Sequence, residues 1–397
     1  MDIRSLTCFA DLEYPLNPAQ WRQIARFAAE ARRAFADAGF CVQSIRLATQ
    51  PFPNLLAFNE ALALPALAKE VETVAHDADV NYVSLGPAPG SVGAAGWRMA
   101  EEIPEAIEAT SAVFFSTSIA SAVLGLDWGG ITASAGMIQR TSRVTADGFG
   151  NLRLAALANC GPWAAFFPAA YHGGGPLTFA VATEAADLAV RACSEAVSPD
   201  EAEGRLTALV QGEADRIVPV ARRVAEELKI GFAGIDFSLA QYPVPEKSTG
   251  CAIEALTGGR VGERGTLFAA MLMTRAVQRA DFPKTGFCGL FLPVLEDSAL
   301  AARSLEGTYT LDSLLLYCAV CGTGLDTVPL PGDTSREELA AILADLAALA
   351  VRLDKPLTAR LMPIPGKRAG EMTEFQFEYF ANAAILEVNG AARRLWR

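Results

Sequence analysis

The chain predicts an α/β protein with largely parallel strand pairing. Its apolar runs are mostly continuous rather than alternating, which suits strands covered on both faces. Amphipathic stretches with readable helix starts lie between those runs. The alternation continues from end to end without a Ser-rich or charge-rich linker and without an internal repeat. With 397 residues, 51% apolar and 20% charged, the chain has ample material for a large core, and one domain spanning residues 1–397 is expected.

Residues 3–12 read as the first strand. Asn17-Pro18 then supplies an N-cap followed by proline at the first helical position, ahead of an Ala/Arg-rich helix to about Ala38. Residues 41–48 read as the next strand, and further strands are expected at 82–85, 112–117, 177–182, 232–237, 287–292 and 357–362. Two later helices announce themselves by capping-box spacing, Ser198 with Glu201 and Thr334 with Glu337, and Pro199 suits a first turn. Pattern alone leaves a (β/α) barrel and a doubly wound sheet equally open.

The net charge of -12 opposes a nucleic-acid partner, which calls for clustered Lys and Arg. The longest basic cluster, Arg393-Arg394 with Arg397, reads as a solubilising tail end. Met1-Asp2-Ile3-Arg4 opens straight into an apolar run with no basic n-region, so no secretory signal is expected. The apolar stretch 154–171 is cut by Asn159, Gly161, Pro162 and Pro168, so no membrane span is expected and the reading is cytoplasmic. Eight cysteines scattered through apolar segments read as small buried hydrophobes rather than a disulfide framework. The apolar content also predicts a homodimer.

Chemistry concentrates in residues 317–333, which place Cys318, Cys321, Asp326, Asp333, Gly322, Gly324 and Gly332 in a turn-rich run. Cys318-x-x-Cys321 lacks the further ligands that a zinc site needs. Cys318 ends a helical Leu314-Leu315-Leu316-Tyr317 run and reads as core, whereas Gly322 and Gly324 let the backbone turn after Cys321 and bring amides to a ligand. His172, before Gly173-Gly174-Gly175, is a candidate to present imidazole to a cavity. The hydrolase reading of those glycines fails because no G-x-S-x-G follows. His76 reads as a solvated helix end.

Acidic residues after apolar runs are the next candidates, since loops after strand ends build sites in α/β folds. Asp236, Glu254, Asp326 and Asp333 together would offer four oxygen ligands to a divalent cation, Mg2+ or Ca2+. Arg46, Arg360 and Lys367 end or follow apolar runs and suit an anionic substrate or an internal ion pair. Asn54 and Asn81 are polar groups that face the same cavity or serve turns. Gly322-x-Gly324 lacks a third glycine and no Walker sequence is present, so neither NAD nor ATP is expected.

Residues 317–333 also carry a resemblance. Together with Ile45-Arg46-Leu47-Ala48-Thr49, Phe166-Phe167-Pro168-Ala169-Ala170-Tyr171-His172, Gly234-Ile235-Asp236-Phe237-Ser238 and Lys355-Pro356-Leu357-Thr358-Ala359-Arg360 they resemble the DUF711 (UPF0210) family, over nearly the whole chain. The resemblance implies a ten-stranded α/β barrel of the pyruvate formate-lyase type, made of two five-stranded halves with helices outside, and carries no settled reaction. In that superfamily a reactive cysteine sits on a loop threaded into the barrel and a radical glycine lies near the C-terminus. Gly390 here lacks the matching neighbours, so the resemblance implies the cavity without the radical chemistry. The expectation is an enzyme, lyase or hydrolase, acting on a small anionic metabolite in a cavity lined by His172, Asp236, Cys321, Asp326 and Arg360. A metal-dependent enzyme and a non-catalytic binding protein are the alternatives.

Overall fold

A computed structural model describes residues 1–57 and 62–391; the basic cluster Arg393, Arg394 and Arg397 lies outside them. Ten strands share one mixed sheet: β1 (Asp2–Ala10), β2 (Ile45–Thr49), β3 (Tyr82–Ala88), β4 (Val113–Ser121), β5 (Gly125–Leu126), β6 (Leu154–Ala158), β7 (Thr178–Glu184), β8 (Gly231–Asp236), β9 (Gly324–Pro331) and β10 (Leu357–Ile364). The order is β8-β7-β1-β2-β3-β4-β6-β10-β9, with β5 paired to β4. β1 to β4 and β6 run parallel, as do β7 with β8 and β9 with β10. The antiparallel joints are β1 with β7, β6 with β10 and the short β5 with β4. The α/β class with largely parallel pairing is therefore present. No described helix is long and apolar enough to cross a membrane.

The hydrogen-bonded ladder ends at β8 and β9 and is not closed. Segment 284–293 runs between these edges, held by the isolated bridges Ile235–Lys284 and Leu239–Leu290 to one side and Pro293–Asp326 to the other. The strand expected at 287–292 is thus absent. Its amides go elsewhere: those of Phe287 and Cys288 donate to the Asp236 carboxylate, each at 3.0 Å. Conversely β9 is a strand where a turn-rich run was expected. Pro329 and Pro331 read as breakers, but β9 has a single ladder partner and such an edge strand tolerates proline. β6, inside the apolar stretch 154–171, was not singled out either.

Local sequence explains the helix starts. Asn17 caps helix Pro18–Asp37 by accepting from the Ala19 amide at 2.9 Å, and Ser198 caps helix Pro199–Leu228 by accepting from Glu201 at 3.2 Å. The second expected capping box sits one residue later than its spacing suggested. Ser335 and Glu338 exchange the two bonds, while the Thr334 hydroxyl donates to the Pro331 carbonyl at 2.6 Å.

Apolar side chains form two cores. The larger packs the sheet's outer face against helices, with Ile3, Leu6, Leu47, Val83, Phe115 and Leu361 among its strand residues. The smaller lies on the other face, around a segment of chain: Phe166, Phe167, Ala169 and Ala170 pack onto Phe9, Ala48, Ala155, Leu157, Ala180 and Ala182. Alanine dominates the strand positions there because a polypeptide, not only side chains, has to fit against them. Phe166 and Phe167, each 8% exposed, together contribute roughly 4–6 kcal/mol of apolar burial.

A chain buried this way must have its peptide groups bonded. Strand hydroxyls do much of this: Thr7 Oγ1 donates to Ala165 O at 2.9 Å and Ser84 Oγ to Ala170 O at 2.8 Å. Thr285 Oγ1 donates to Trp163 O at 2.9 Å, and the Ala165 amide donates to Asp236. At the exit the His172 amide reaches Thr49 O at 2.9 Å. Replacing Thr7 by Val keeps the shape and strands the Ala165 carbonyl, so chemical denaturation should show a loss of about 1–3 kcal/mol. A Thr7→Val protein as stable as the parent would contradict this account of the threaded segment.

Candidate functional site

The starts of the parallel strands β1 to β4 and β6 lie at one end of the sheet, level with the first halves of β9 and β10. Arg4 of β1, Arg46 of β2, Tyr82 of β3, Phe114 of β4 and Ala155 of β6 face a cavity of about 270 Å³ there. Asp326 of β9 and Arg360 of β10 complete its wall, the threaded Phe166 and Phe167 form its floor, and Phe377 with Tyr379 cover it from the C-terminal segment. That segment is fixed by a ring cluster in which Phe149 meets Phe377 at 5.1 Å and Phe375 at 5.9 Å. Backbone bonds from Ala381 to Leu295 at 2.6 Å and from Leu386 to Pro329 at 3.0 Å hold it further.

A β-bulge places the first ion pair. Asp326 and Thr327 of β9 together oppose the single residue Arg360 of β10, with Leu325 paired to Ala359 and Val328 to Leu361. Thr327 takes φ 42°. Arg360 Nε then donates to Asp326 Oδ1 at 2.6 Å, and its Nη2 to Glu296 Oε1 at 2.8 Å. Glu296 also accepts from Arg4 Nη2 at 3.3 Å, and Arg4 Nη1 reaches Glu184 at 2.7 Å. Lys247 extends the chain of charges, at 2.8 Å from Glu184 and 2.6 Å from Asp2. Burial pushes the Glu296 carboxyl up, opposed by Arg360, while Asp326 adds to the upward push.

Arg46 differs from these arginines. Its Nε donates to Ser44 Oγ at 2.9 Å, and its guanidinium lies 5.2 Å from the Phe167 ring and 5.7 Å from the Tyr82 ring. No carboxylate among the described residues forms an ion pair with it. Burial, reinforced by the charge of Arg4, pushes it down to about 9. It lines the cavity with Glu296 as a through-space opposing charge but without a bonded carboxylate among the described residues. Across the lining, four arginines (Arg4, Arg46, Arg153 and Arg360) stand against two carboxylates, Glu296 and Asp326. The site carries an excess of positive charge within a chain of net charge -12.

Of the residues expected from sequence, Arg46, Asp326, Arg360 and Asn81 come together at this cavity. His172 does not. Its Nδ1 pairs with Asp11 at 2.5 Å and its ring meets Trp163 edge-on at 4.9 Å, beyond the far end of β1. The seven residues from Arg4 to Asp11 span roughly 23 Å of extended chain, so His172 pins the exit of the threaded segment instead. Asp236 is fully buried, and besides the amides of Phe287, Cys288 and Ala165 it accepts from Ser238 Oγ at 2.7 Å. Burial lifts it to about 6, but its lone pairs are spent on holding segment 284–293.

The four proposed metal ligands are dispersed. Glu254 pairs with Arg303 at 2.7 Å and Asp333 is solvent-exposed before the Ser335 cap. Among the described residues no group of three or more His, Cys, Asp or Glu side chains is arranged to hold a metal. Lys367 pairs with Glu374 at 3.0 Å, and Asn54 accepts from the Ser91 amide at 2.8 Å, both away from the cavity. Gly322 and Gly324 serve close packing: a Cβ on the first would meet Leu290 O at 2.9 Å, and on the second Thr358 O at 2.4 Å. Cys321 is 1% exposed and outside the cavity lining. A hydrogen bond from the Cys318 thiol pulls it down to about 6 against the effect of burial, with Lys355 helping, and Cys318 is pushed up by burial and by that same pairing.

Sequence reading missed Arg4, Glu184 and Glu296. The signal was present for the last two, since each directly ends an apolar run, as Asp236 does. Arg4 sits inside a strand-like run, where its neighbours masked it. Gln241 and Thr323 carried no sequence signal at all.

Comparison with known proteins follows this geometry along the chain. The family described as "Uncharacterised ACR (DUF711)" matches residues 1–378. A UPF0210 protein of Pyrobaculum arsenaticum is 32% identical over 383 residues, covering 91% of this chain and 82% of that protein. One from Desulforudis audaxviator is 31% identical over 373 residues, covering 90% and 82%. A third, from Neisseria gonorrhoeae, is 28% identical over 366 residues, covering 87% and 79%.

Thiol accessibility sets an order of reactivity. The reading that Cys321 lies open to reagents does not survive its burial, whereas Cys41 is exposed. A thiol alkylating agent applied to the folded protein should label Cys41 first, with Cys318 and Cys321 following only on unfolding. Native-state mass mapping that finds Cys321 modified before Cys41 would overturn this.

Proposed function

We propose that this chain, which belongs to the uncharacterised DUF711 family, is an enzyme acting on a small anionic metabolite held in the cavity at the strand starts. One observation carries the reading: Arg46 is a half-buried cation bonded to a hydroxyl and flanked by two aromatic rings, with Glu296 acting on it only from a distance and no carboxylate among the described residues in ion-pair contact. An unpaired charge in such a place costs several kcal/mol unless a ligand supplies the counter-charge. The planar fork offers a carboxylate two parallel bonds. In this reading segment 284–293 and the ten strands act together as the barrel wall, and the threaded segment is its floor.

Catalysis in this proposal is a proton transfer between Glu296 and the bound anion. Glu296 lines the same cavity, and burial pushes its carboxyl up against the opposing charges of Arg360 and Arg4. Arg360 and Arg4 fix both of its oxygens, and Asp326 holds Arg360 from the other side. The sequence-level choice of Cys321 and His172 as the reacting groups is replaced here by Glu296.

The test is equilibrium binding of a panel of small mono- and dicarboxylates and inorganic phosphate, read by thermal stabilisation of the full chain. At least one carboxylate should raise the melting temperature, and Arg46→Ala should weaken it on the order of 100-fold, as loss of a buried charged partner does. Arg46→Lys should recover only part, because the charge stays and the fork goes. Stabilisation that survives Arg46→Ala, or none from any member of the panel, would sink the reading. If Glu296→Gln and the parent bind the carboxylate equally and neither turns it over, a binding protein is indicated instead.

A further inference from the structure

Resting on the assignment of Arg46 as an anion anchor, we infer that the ligand is an aryl carboxylate bearing a hydroxyl or amino group, and that Thr323 and Gln241 select for that group. A third of the residues lining the cavity are aromatic, against 8% of the chain. They are arranged edge to face around the anchor: Tyr82 meets Phe114 at 5.6 Å and Phe114 meets Phe167 at 5.4 Å, while Phe166 meets Phe291 at 4.7 Å. Tyr82 and Phe167 are the same two rings that flank the Arg46 guanidinium. An anion gripped by Arg46 therefore extends its body among ring faces and edges, where another ring packs better than an alkyl group of equal area. A volume of about 270 Å³ accommodates one such ring compound, at the small end of ligand cavities.

Two buried oxygens in the wall supply the second half of the argument. Gln241 Oε1 and Thr323 Oγ1 have no hydrogen-bond partner, although both residues line the cavity and are 1% and 3% exposed. The orientation of the Gln241 amide is set by its nitrogen, which donates to Phe291 O and to Thr249 Oγ1, each at 2.5 Å. Its oxygen is thus an acceptor in want of a donor. Thr323 has its carbonyl engaged by the amide of Thr358 at 2.6 Å and by its hydroxyl at 3.1 Å, which leaves the Thr323 hydroxyl as the free group. A turn about its χ1 exchanges hydroxyl and methyl between wall and cavity. Buried polar atoms are rarely left unbonded; both oxygens are covered in the unliganded wall, and a ligand donor becomes their partner when the wall side chains shift to admit it.

Isothermal titration of the full chain with acetate, cyclohexanecarboxylate, benzoate and the three hydroxybenzoates tests the inference. Benzoate should bind about fivefold tighter than cyclohexanecarboxylate, and at least one hydroxybenzoate about fivefold tighter than benzoate. In Thr323→Val, which keeps the side-chain shape, the hydroxybenzoate-to-benzoate ratio should fall to about one, and a thermal melt of the unliganded variant reports whether the fold is retained. Equal affinity for the ring and ring-free acids, or a ratio that Thr323→Val leaves in place, would overturn the inference. Arg46-dependent binding of carboxylates without aryl preference would end this inference and leave the anion-binding function standing. Binding of none of these carboxylates or inorganic phosphate would end both.

Discussion

The packing of a buried chain segment against one face of the sheet sets the terms for the rest of this molecule. Residues 164–170 are buried throughout, so each peptide group there needs a partner from the sheet or from its neighbours, and an unmet one would cost roughly 1–3 kcal/mol. That requirement puts hydroxyls at Thr7 and Ser84 on strands that would otherwise carry Val or Leu. It also keeps the inner face small at Ala48, Ala155, Ala180 and Ala182. Asp236 belongs to the same economy: one carboxylate accepts from the threaded segment and from segment 284–293, tying the floor of the cavity to the chain that spans the sheet's two edges.

With the floor fixed, charge organises the wall. Glu296 is bonded by both Arg360 and Arg4, Asp326 takes the remaining edge of Arg360, and Glu184 divides itself between Arg4 and Lys247. Like charges a few ångströms apart repel by about 4 kcal/mol at an effective dielectric near 20, so three neighbouring arginines are tolerable only because acids are interleaved. The interleaving stops short of Arg46. Its remaining partners are a hydroxyl and two π-faces, which stabilise a cation by only about 0.5–2 kcal/mol each, and this is the electrostatic opening through which the cavity can favour an anion.

Two of the most conspicuous sequence features turned out to support structure. The Cys318 and Cys321 pair closes helix Leu311–Cys318 onto the start of β9, with Lys355 Nζ bonded to both of their carbonyls and the Cys321 sulfur accepting from Gly324 at 3.3 Å. His172, isolated in sequence among glycines, locks onto Asp11 and Trp163. Rare residue types draw the eye in a sequence, yet here the cavity is built from arginines, glutamates and phenylalanines, which composition does not set apart.

What the sequence determined by itself is what depends on near neighbours along the chain. Period, caps and apolar runs gave the α/β alternation, the start of helix Pro18–Asp37 at Asn17, and the acid that ends a strand at Asp236, whereas Arg46 opens its strand and Arg360 sits inside its own. The resemblance carried by the conserved-looking blocks pointed to the right family. Only the tertiary structure decided which strand ends meet. Register across the β1 and β7 joint brings Glu184 beside Arg4, the bulge at Asp326 and Thr327 turns an acid toward Arg360, and the length of β1 between Arg4 and Asp11 carries His172 out of reach. Such placements follow from side-chain contacts 34 to 292 residues apart in sequence, and no local pattern encodes a distance of that kind.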